Sequence, residues 1–382
     1  MRRLLLAAAV LMPAAASAQS SQFGVNGLGL PGRQTSARAA GSGGAFAFFD
    51  GNSSVSPAAL LEQGTLTASF TTLQNYRTSS NAAGSLSGRD TRFPQVAIAG
   101  PLRRIPLALG ISFSTFTDRD FSVASSDVVN LRGVPVAVAD TLTSEGGLSD
   151  LRVAGAYRFS GWTVGAGLHL ITGSNRTQVR RTFEDSAYAP IRERAEIAYG
   201  GIGASLGITR PITPALSVAA AVRVNGDARI DRDSTEVADV DIPLTLGGAV
   251  RWRPSPRLDL AASAAARRWS AADDDLRALG GTGARNTIEL SAGAELAHNA
   301  RRPQQRPVRL GVRYATLPFP VEAGSQPREI GIALGSGVRF AQDRLGLDHA
   351  GVDVALERVW RRASGGYSEG AWLVSFGVLV RP

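Results

Sequence analysis

The sequence predicts an all-β protein: a transmembrane antiparallel up-and-down β-barrel of about fourteen strands with an N-terminal plug segment. Three observations favour this fold class. Apolar residues alternate with polar or small ones along most of the chain, as over residues 287–297, which is typical of strands with one face in lipid. After residue 18 no apolar run is long enough for a membrane helix. Short turn-rich connections also alternate with long polar ones.

The first eighteen residues have the order of a secretory signal peptide. Arg2 and Arg3 precede a short apolar run over residues 4–12, and the small triplet 16–18 follows before Gln19. The run is far shorter than the roughly 20 residues that a membrane-spanning helix needs. Residues 1–18 are therefore predicted to be a cleaved signal peptide. The chain has no cysteine, so disulfides and a lipid-modified cysteine are excluded.

The charge balance argues against a nucleic-acid partner. The formal net charge is +9, and every basic residue is arginine. These arginines are spread along the strands among acidic neighbours and form no basic stripe. Export and fold class together predict a bacterial outer-membrane protein.

The alternation predicts the strands individually. They are expected at residues 64–74, 92–100, 106–116, 148–159, 161–172, 194–209, 214–227, 239–254, 256–269, 284–298, 306–315, 327–341, 346–361 and 367–380. The barrel is thus expected over 63–382. Long polar stretches such as 117–147 and 228–238 are interpreted as extracellular loops, and both chain ends are expected on the periplasmic side.

The tryptophans fall near strand ends, as expected for rings at the membrane interfaces. Trp162, Trp252, Trp360 and Trp372 share the parity of the apolar face. Trp269 has the opposite parity, for which either a bulge near the rim or a lumenal position is an explanation.

The opposite parity places charges in the lumen. The candidate lumenal charges are Arg152, Arg158, Arg251, Glu289, Glu295, Arg309, Arg313, Glu329 and Arg339. Neighbouring strands carry opposite signs, so Glu289 and Glu295 are expected to face Arg309 and Arg313, which in turn face Glu329. Such cross-strand pairs are favourable. A ladder that only stabilises the wall is the preferred interpretation over a substrate role for any one member.

Glycines inside the predicted strands permit two interpretations. Gly110, Gly165, Gly247 and Gly335 mark either kinks where the wall opens or places of close packing against a plug.

The segment before the first strand is rich in Gly, Ala and Ser and lacks strand alternation. It contains Gly43-Gly44-Ala45 and later Ser56-Pro57-Ala58. This order resembles the plug of the FadL/TodX family of outer-membrane transporters, where Asn-Pro-Ala stands at the second motif. Ser56 replaces the Asn and keeps a short capping side chain, so a helical turn over residues 57–62 is expected.

The resemblance implies a fourteen-stranded barrel closed by a plug at residues 19–62. It also implies passive uptake of long-chain fatty acids or other hydrophobic compounds, through extracellular capture, a site near the plug and a sideways exit into the membrane. The candidate capture residues lie in two loops: Phe121, Val123, Val134, Val136, Leu317 and Phe319. Packing of the loops against each other is the alternative role for them.

Other classes of function are weighed against this transporter. A shuttle for a secretion machinery or a structural outer-membrane protein would keep the plug, whereas a diffusion porin should lack it. An enzyme is not expected, since the only histidines are His169, His298 and His349 and no Ser with Asp or Asn is recognisable in register beside them. No metal site or cofactor is predicted. The expected partners are outer-membrane lipid, a hydrophobic small molecule and the barrel-assembly machinery.

Overall fold

The computed structural model describes residues 21–82, 84–232, 235–302, 305–322, 325–342 and 348–382. The predicted signal peptide lies outside these residues. The helices within them are all too short to cross a membrane.

The described residues form eighteen strands and a few short helices. The strands are β1 (Leu30–Pro31), β2 (Thr67–Asn81), β3 (Gly84–Pro101), β4 (Leu107–Asp118), β5 (Phe121–Leu131), β6 (Val134–Phe159), β7 (Trp162–Phe183), β8 (Ile191–Pro211), β9 (Leu216–Asn225), β10 (Asp227–Arg232), β11 (Thr235–Asp241), β12 (Thr245–Ser255), β13 (Leu258–Arg267), β14 (Thr287–Ala297), β15 (Pro307–Thr316), β16 (Arg328–Gln342), β17 (Asp348–Arg362) and β18 (Ser368–Val380). The α-helices are α1 (Ala37–Gly41) and α2 (Asp273–Ala278), and 3-10 helices cover Gln22–Gly24, Ala47–Phe49, Pro57–Glu62 and Trp269–Ala272.

Fourteen of these strands form a closed antiparallel barrel, namely β2 to β4, β6 to β9 and β12 to β18. The ring closes where β18 pairs with β2, from Ser368 opposite Ser80 to Val380 opposite Ala68. Each predicted strand overlaps one wall strand. The predicted fold class is confirmed, because period-2 alternation is a local pattern that survives whatever the strands pair with.

The alternation sorts side chains between the outer surface and the lumen. On β14, Leu290 is 48% exposed on the outside, whereas the carboxylate-bearing Glu295 is 4% exposed on the inside. Trp252, Trp360 and Trp372 are exposed on the outer surface, where lipid would cover them. Trp269 is 1% exposed, so the lumenal position explains its odd parity.

The two rims of the barrel differ as predicted. One rim has short turns such as Ser160-Gly161, where both residues have positive φ and form the tight connection that suits a twisted hairpin. The other rim carries long extensions. We call these two ends the short-turn rim and the long-loop rim. There, in the described part of the chain, β5 pairs with β6, and β10 pairs with β11 and β8.

These extensions correct the interpretation of residues 117–147 and 228–238 as loops. Residues 134–142 continue strand β6 beyond the height of the barrel wall, and the β5–β6 hairpin turns at Arg132-Gly133. The alternation there was visible in the sequence. The interpretation of these residues as loops was wrong because it assumed strands only as long as the membrane is thick.

The expectation that both chain ends share one side is wrong for the described N-terminal residues. Strand β18 ends at the short-turn rim, but the Ser21 hydroxyl donates to the Glu369 carboxylate at 2.9 and 3.0 Å, at the opposite end of the same strand. The chain therefore runs the length of the lumen before it enters the wall at Thr67.

Candidate functional site

The N-terminal residues 21–66, called the lumenal segment below, lie inside the barrel. Near the long-loop rim Asn26 Nδ2 donates to the Pro320 carbonyl at 2.7 Å. Further down, α1 packs on β16, β17 and β18, and the 3-10 helix Pro57–Glu62 packs on β6, β7 and β8. The segment thus contacts opposite parts of the wall.

Side-chain hydrogen bonds hold the turns of the lumenal segment together. Ser36 Oγ caps α1 by accepting from the Ala39 amide at 3.2 Å. The carboxylate of Asp50 in turn accepts from the hydroxyls of Ser36 and Ser53, the latter at 2.9 Å. Asp50 is 2% exposed and holds the two ends of this turn together.

The first plug motif, Gly43-Gly44-Ala45, makes a turn that requires glycine. Gly43 and Gly44 have φ of +66° and +94°, a region that residues with a Cβ rarely adopt. A Cβ on Gly43 would also lie 3.1 Å from backbone atoms of Val312 on β15. The motif therefore brings the segment backbone against the wall, and Ala45 is fully buried there.

The second motif, Ser56-Pro57-Ala58, starts the 3-10 helix Pro57–Glu62, which lies where the helical turn was expected. The expected cap is absent, since the Ser56 side chain makes no capping hydrogen bond. Its hydroxyl instead lies against Gly207 of β8. Pro57 at the first helical position needs no amide partner, and that suffices to start the helix.

The four strand glycines singled out in the sequence all face the lumenal segment. A Cβ added to each glycine would lie within 3 Å of an atom of the lumenal segment. This atom belongs to Leu60 for Gly110, Pro57 for Gly165, Phe48 for Gly247 and Gly41 for Gly335. Of the two interpretations, close packing against the segment describes these positions.

A ladder of buried ion pairs connects the lumenal segment with one side of the wall. Arg309 of β15, fully buried, donates to Glu295 at 2.9 Å and to Asp353 at 2.8 Å. Arg38 of the segment binds Glu295 at 2.8 Å, and Arg339 binds Asp353 at 2.8 Å. Each carboxylate is thus shared between two arginines.

A second branch of the ladder lies nearer the long-loop rim. Arg313 binds Glu329 and, at 3.4 Å, Glu357. Glu329 is shared with Arg361, and Glu357 accepts from Arg33 of the lumenal segment. The opposite signs on neighbouring strands therefore meet, and the segment itself supplies two of the cations.

The remaining candidate charges lie outside this ladder. Arg152 donates through Nη1 to the Ser54 carbonyl of the segment at 3.0 Å. Arg158 is exposed near the short-turn rim. Arg251 binds Asp259 on the next strand, and Glu289 binds Arg267 at 3.3 Å rather than Arg309 or Arg313.

Two of the candidate capture residues are buried at the long-loop rim, and one of them, Phe319, belongs to an apolar cluster that covers the lumen there. Phe319 and Leu317 are 2% and 7% exposed. The Phe319 ring packs edge-on against Trp269 with centroids 5.1 Å apart, and Leu28 of the lumenal segment joins the same cluster. The side chains of Phe319 and Leu317 are therefore packed beneath the loops rather than exposed to the outside.

The loop that carries Trp269 is held by Asp273 at the start of α2. Its carboxylate accepts from the Ala284 amide at 2.7 Å and binds Arg277 at 3.1 Å, and these bonds lower the pKa of Asp273 below its ordinary value.

The other capture candidates lie on the β5–β6 extension. Phe121 and Val136 are buried, whereas Val123 and Val134 are exposed. Phe121 and Val123 line a cavity of about 310 Å³ together with Leu86 of β3 and Val25 of the lumenal segment.

This cavity adjoins a break in the wall. The β3–β4 ladder runs only from Pro101 opposite Ala108 to Gln95 opposite Ser114. Beyond it, Thr117 and Asp118 of β4 pair with β1 of the lumenal segment instead of with β3. We call this break the seam. It separates residues 84–94 of β3 from residues 115–118 of β4, and the Arg92–Asp118 ion pair joins its two sides.

The structure also assembles a polar cluster that the sequence did not reveal. His169 of β7 lies between Asp150 of β6 and Ser205 of β8, with Nδ1 2.9 Å from Asp150 and Nε2 2.8 Å from Ser205 Oγ. All three residues are buried. Their shared lumenal parity was readable, but their offset between strands depends on register, which the sequence does not specify.

The fold and its contents define a class of protein: a closed β-barrel of the outer-membrane type whose lumen is occupied by its own N-terminal segment. No protein-family model matches the sequence, and no curated protein does either. Solved structures do match. A Pseudomonas aeruginosa FadL homologue has a TM-score of 0.63 at 13% identity, over 92% of this chain and 99% of that one.

Two further solved structures are also similar. The monoaromatic hydrocarbon channel CymD has a TM-score of 0.56 at 16% identity, covering 94% of this chain and 99% of that one. The Ralstonia pickettii toluene transporter TbuX has a TM-score of 0.56 at 15% identity, covering 92% and 99%. The chain therefore has the fold of the FadL/TodX barrels, and the resemblance noted in the sequence is confirmed at the level of fold.

Proposed function

We propose that this protein is a passive outer-membrane channel for hydrophobic compounds, closed to water by the lumenal segment and open sideways at the seam. The observation that carries the proposal is the seam itself, next to a cavity lined in part by Phe121 and Val123. The similar barrels include a toluene transporter and a monoaromatic hydrocarbon channel. Small aromatic hydrocarbons and long-chain fatty acids are the two cargo classes to test.

A sideways exit suits this cargo better than passage along the lumen. The lumen holds the buried ion pairs of Arg309 and Arg313, and an apolar molecule gains nothing by moving among them. At the seam the outer surface carries Phe93, which packs with Phe70 at 5.6 Å between centroids. A molecule that leaves there passes from apolar side chains directly into lipid.

Capture is proposed at the cavity beside the seam. Val123 is 45% exposed and Phe121 forms part of the lining, so an apolar compound from outside meets both before it reaches the seam. Leu317 and Phe319 lie under the loops, and we assign them to the cover of the lumen rather than to first contact.

Two alternatives remain outcomes of the test. A diffusion porin needs an open lumen, and a lumenal segment packed against wall glycines disfavours it. A secretion shuttle or a structural barrel would keep the segment and transport neither class of cargo.

The decisive test is to close the seam chemically. The chain has no cysteine, so an introduced pair is the only thiol target. Arg92→Cys with Asp118→Cys places thiols on the two sides of the seam, to be joined by a short bismaleimide. We expect uptake of labelled oleate and toluene into liposomes to fall to the rate of protein-free vesicles after bridging. The unbridged pair should retain uptake.

The matched control is a pair across a ladder that is already closed. Ala262 of β13 and Ala292 of β14 are exposed and face each other in a closed ladder away from the seam, and bridging Ala262→Cys to Ala292→Cys should leave uptake unchanged. Uptake that survives closure of the seam would refute the sideways exit. Sucrose uptake by the unmodified chain would favour the porin. Uptake of neither oleate nor toluene by that chain would favour the shuttle.

If Val123 takes part in capture, its substitution should change the apparent affinity for toluene. We expect Val123→Asn to raise the half-saturating toluene concentration about tenfold, because an amide beside an apolar ligand costs about 1–3 kcal/mol of binding free energy. Val128→Asn, on the same strand, exposed and away from the cavity, is the control. Equal effects of the two substitutions in an uptake titration would refute capture at Val123.

Export and assembly complete the proposal. Residues 1–18 would be removed as a signal peptide, and the barrel-assembly machinery would insert the mature chain among outer-membrane lipids. The outer surface offers the lipids exposed apolar side chains such as Leu310 and Ile332.

A further inference from the structure

We propose that Ser205 is an activated nucleophile in a second, lumenal site, with His169 as its general base and Asp150 as the residue that orients this base. The site would hydrolyse small carboxylic esters. This inference does not depend on transport, because the three residues face the lumen from β6, β7 and β8 and none of them lines the cavity beside the seam.

The hydrogen bonds fix the direction of proton transfer. The Asp150 carboxylate accepts hydrogen bonds from Arg223 Nη1 at 2.6 Å and from Gln34 Nε2 at 2.8 Å, and both of these nitrogens can only donate. Its carboxylate is therefore an acceptor toward His169 as well, so Nδ1 of the imidazole carries the proton. In the neutral ring Nε2 is then an acceptor, and the bond of 2.8 Å must be donated by the Ser205 hydroxyl. This is the arrangement that general-base activation of a serine requires.

The surroundings offer both space and charge stabilisation. Ser205 and His169 line an interior cavity of about 70 Å³, room for roughly two water molecules or for an acetyl-sized group. Arg223 and Trp269 line the same cavity. Among the described residues, Arg223 Nη2 and Trp269 Nε1 have no acceptor, so both are available to donate to an oxygen anion that forms in this cavity when the serine attacks an ester.

The reaction balances with water as co-reactant. Ser205 Oγ adds to the ester carbonyl carbon while its proton passes to His169 Nε2. The bond to the leaving oxygen then breaks, and that oxygen takes the proton and departs as an alcohol. Water adds to the acyl carbon and passes its proton through His169, which releases the carboxylic acid and restores Ser205.

A small electrophile tests the nucleophile directly. Methanesulfonyl fluoride transfers its sulfonyl group to an activated serine hydroxyl with loss of fluoride, and mass spectrometry of the folded barrel locates the product. We expect Ser205 to react about 100-fold faster than Ser112, since positioned general bases contribute at least that factor. Ser112 is a matched internal control, buried in the lumenal wall but hydrogen-bonded to Ser54 and Arg152 instead of to an imidazole.

The variant His169→Asn separates activation from a merely structural role. It should lower the rate at which methanesulfonyl fluoride labels Ser205 to the rate for Ser112. Unchanged heat-modifiable gel mobility would show that the barrel is folded. Absence of Ser205 labelling in the unmodified chain, or labelling that His169→Asn leaves unchanged, would overturn the proposal. Hydrolysis of 4-nitrophenyl acetate that is lost in Ser205→Ala supports turnover. Labelling without such hydrolysis would overturn the ester-hydrolysing activity.

Discussion

A barrel without residues 21–61 is expected to let sucrose into liposomes freely, whereas the full chain holds it out. The reason is steric. The lumenal segment lies against wall glycines on several strands, including Gly110, Gly165 and Gly335, and its removal leaves a polar lumen open to water. The measurement is sucrose efflux together with single-channel conductance in planar bilayers. Full conductance should appear only in the deletion variant.

A point variant provides the same test without removing the segment. In Gly165→Leu, the new Cβ would lie 2.5 Å from the Pro57 carbonyl carbon, so the 3-10 helix Pro57–Glu62 must move. Gly155→Leu, whose side chain would point to the outer surface near Leu109, is the control and should remain closed. If the deletion variant folds, as judged by heat-modifiable mobility, and still excludes sucrose, the lumenal segment is not the barrier.

The substitution Arg309→Met is expected to lower the free energy of unfolding by about 3 kcal/mol, because removing one partner of a buried ion pair leaves carboxylates without full compensation. Arg309 is completely buried and bridges Glu295 and Asp353. Each of these keeps one other arginine, Arg38 or Arg339, which limits the loss. Urea unfolding in detergent micelles, followed by tryptophan fluorescence, measures the change.

The control for this prediction is an exposed pair. Arg176 and Glu196 lie 3.6 Å apart with both side chains largely in solvent, so Arg176→Met should change the free energy of unfolding by less than about 0.5 kcal/mol. Arg309→Lys should fall between the two, because it keeps the charge but cannot bind both carboxylates through a planar fork. Equal unfolding midpoints for Arg309→Met and Arg176→Met would show that the ladder adds nothing to stability.

The sequence by itself determined the wall. Alternation such as that of residues 287–297 is set by backbone geometry, since successive side chains of a strand point to opposite faces. It therefore predicted fourteen strands, the outward face of Leu290 and the inward face of Glu295. Opposite charges on consecutive strands even indicated partners, as for Glu295 and Arg309, because neighbouring strands in an up-and-down barrel are neighbours in sequence.

Only the tertiary structure decided what depends on register and on chain path. Asp150, His169 and Ser205 meet through diagonal offsets between three strands, and a slip of one residue would turn a side chain to the other face. The lumenal segment starts at the long-loop rim because it is bonded there to Glu369 and Pro320, and these bonds join residues 348 and 294 positions apart. The seam likewise exists because β1 takes the edge of β4 that β3 leaves unpaired. Such contacts have no local signature, since their free energy comes from groups that are distant along the chain.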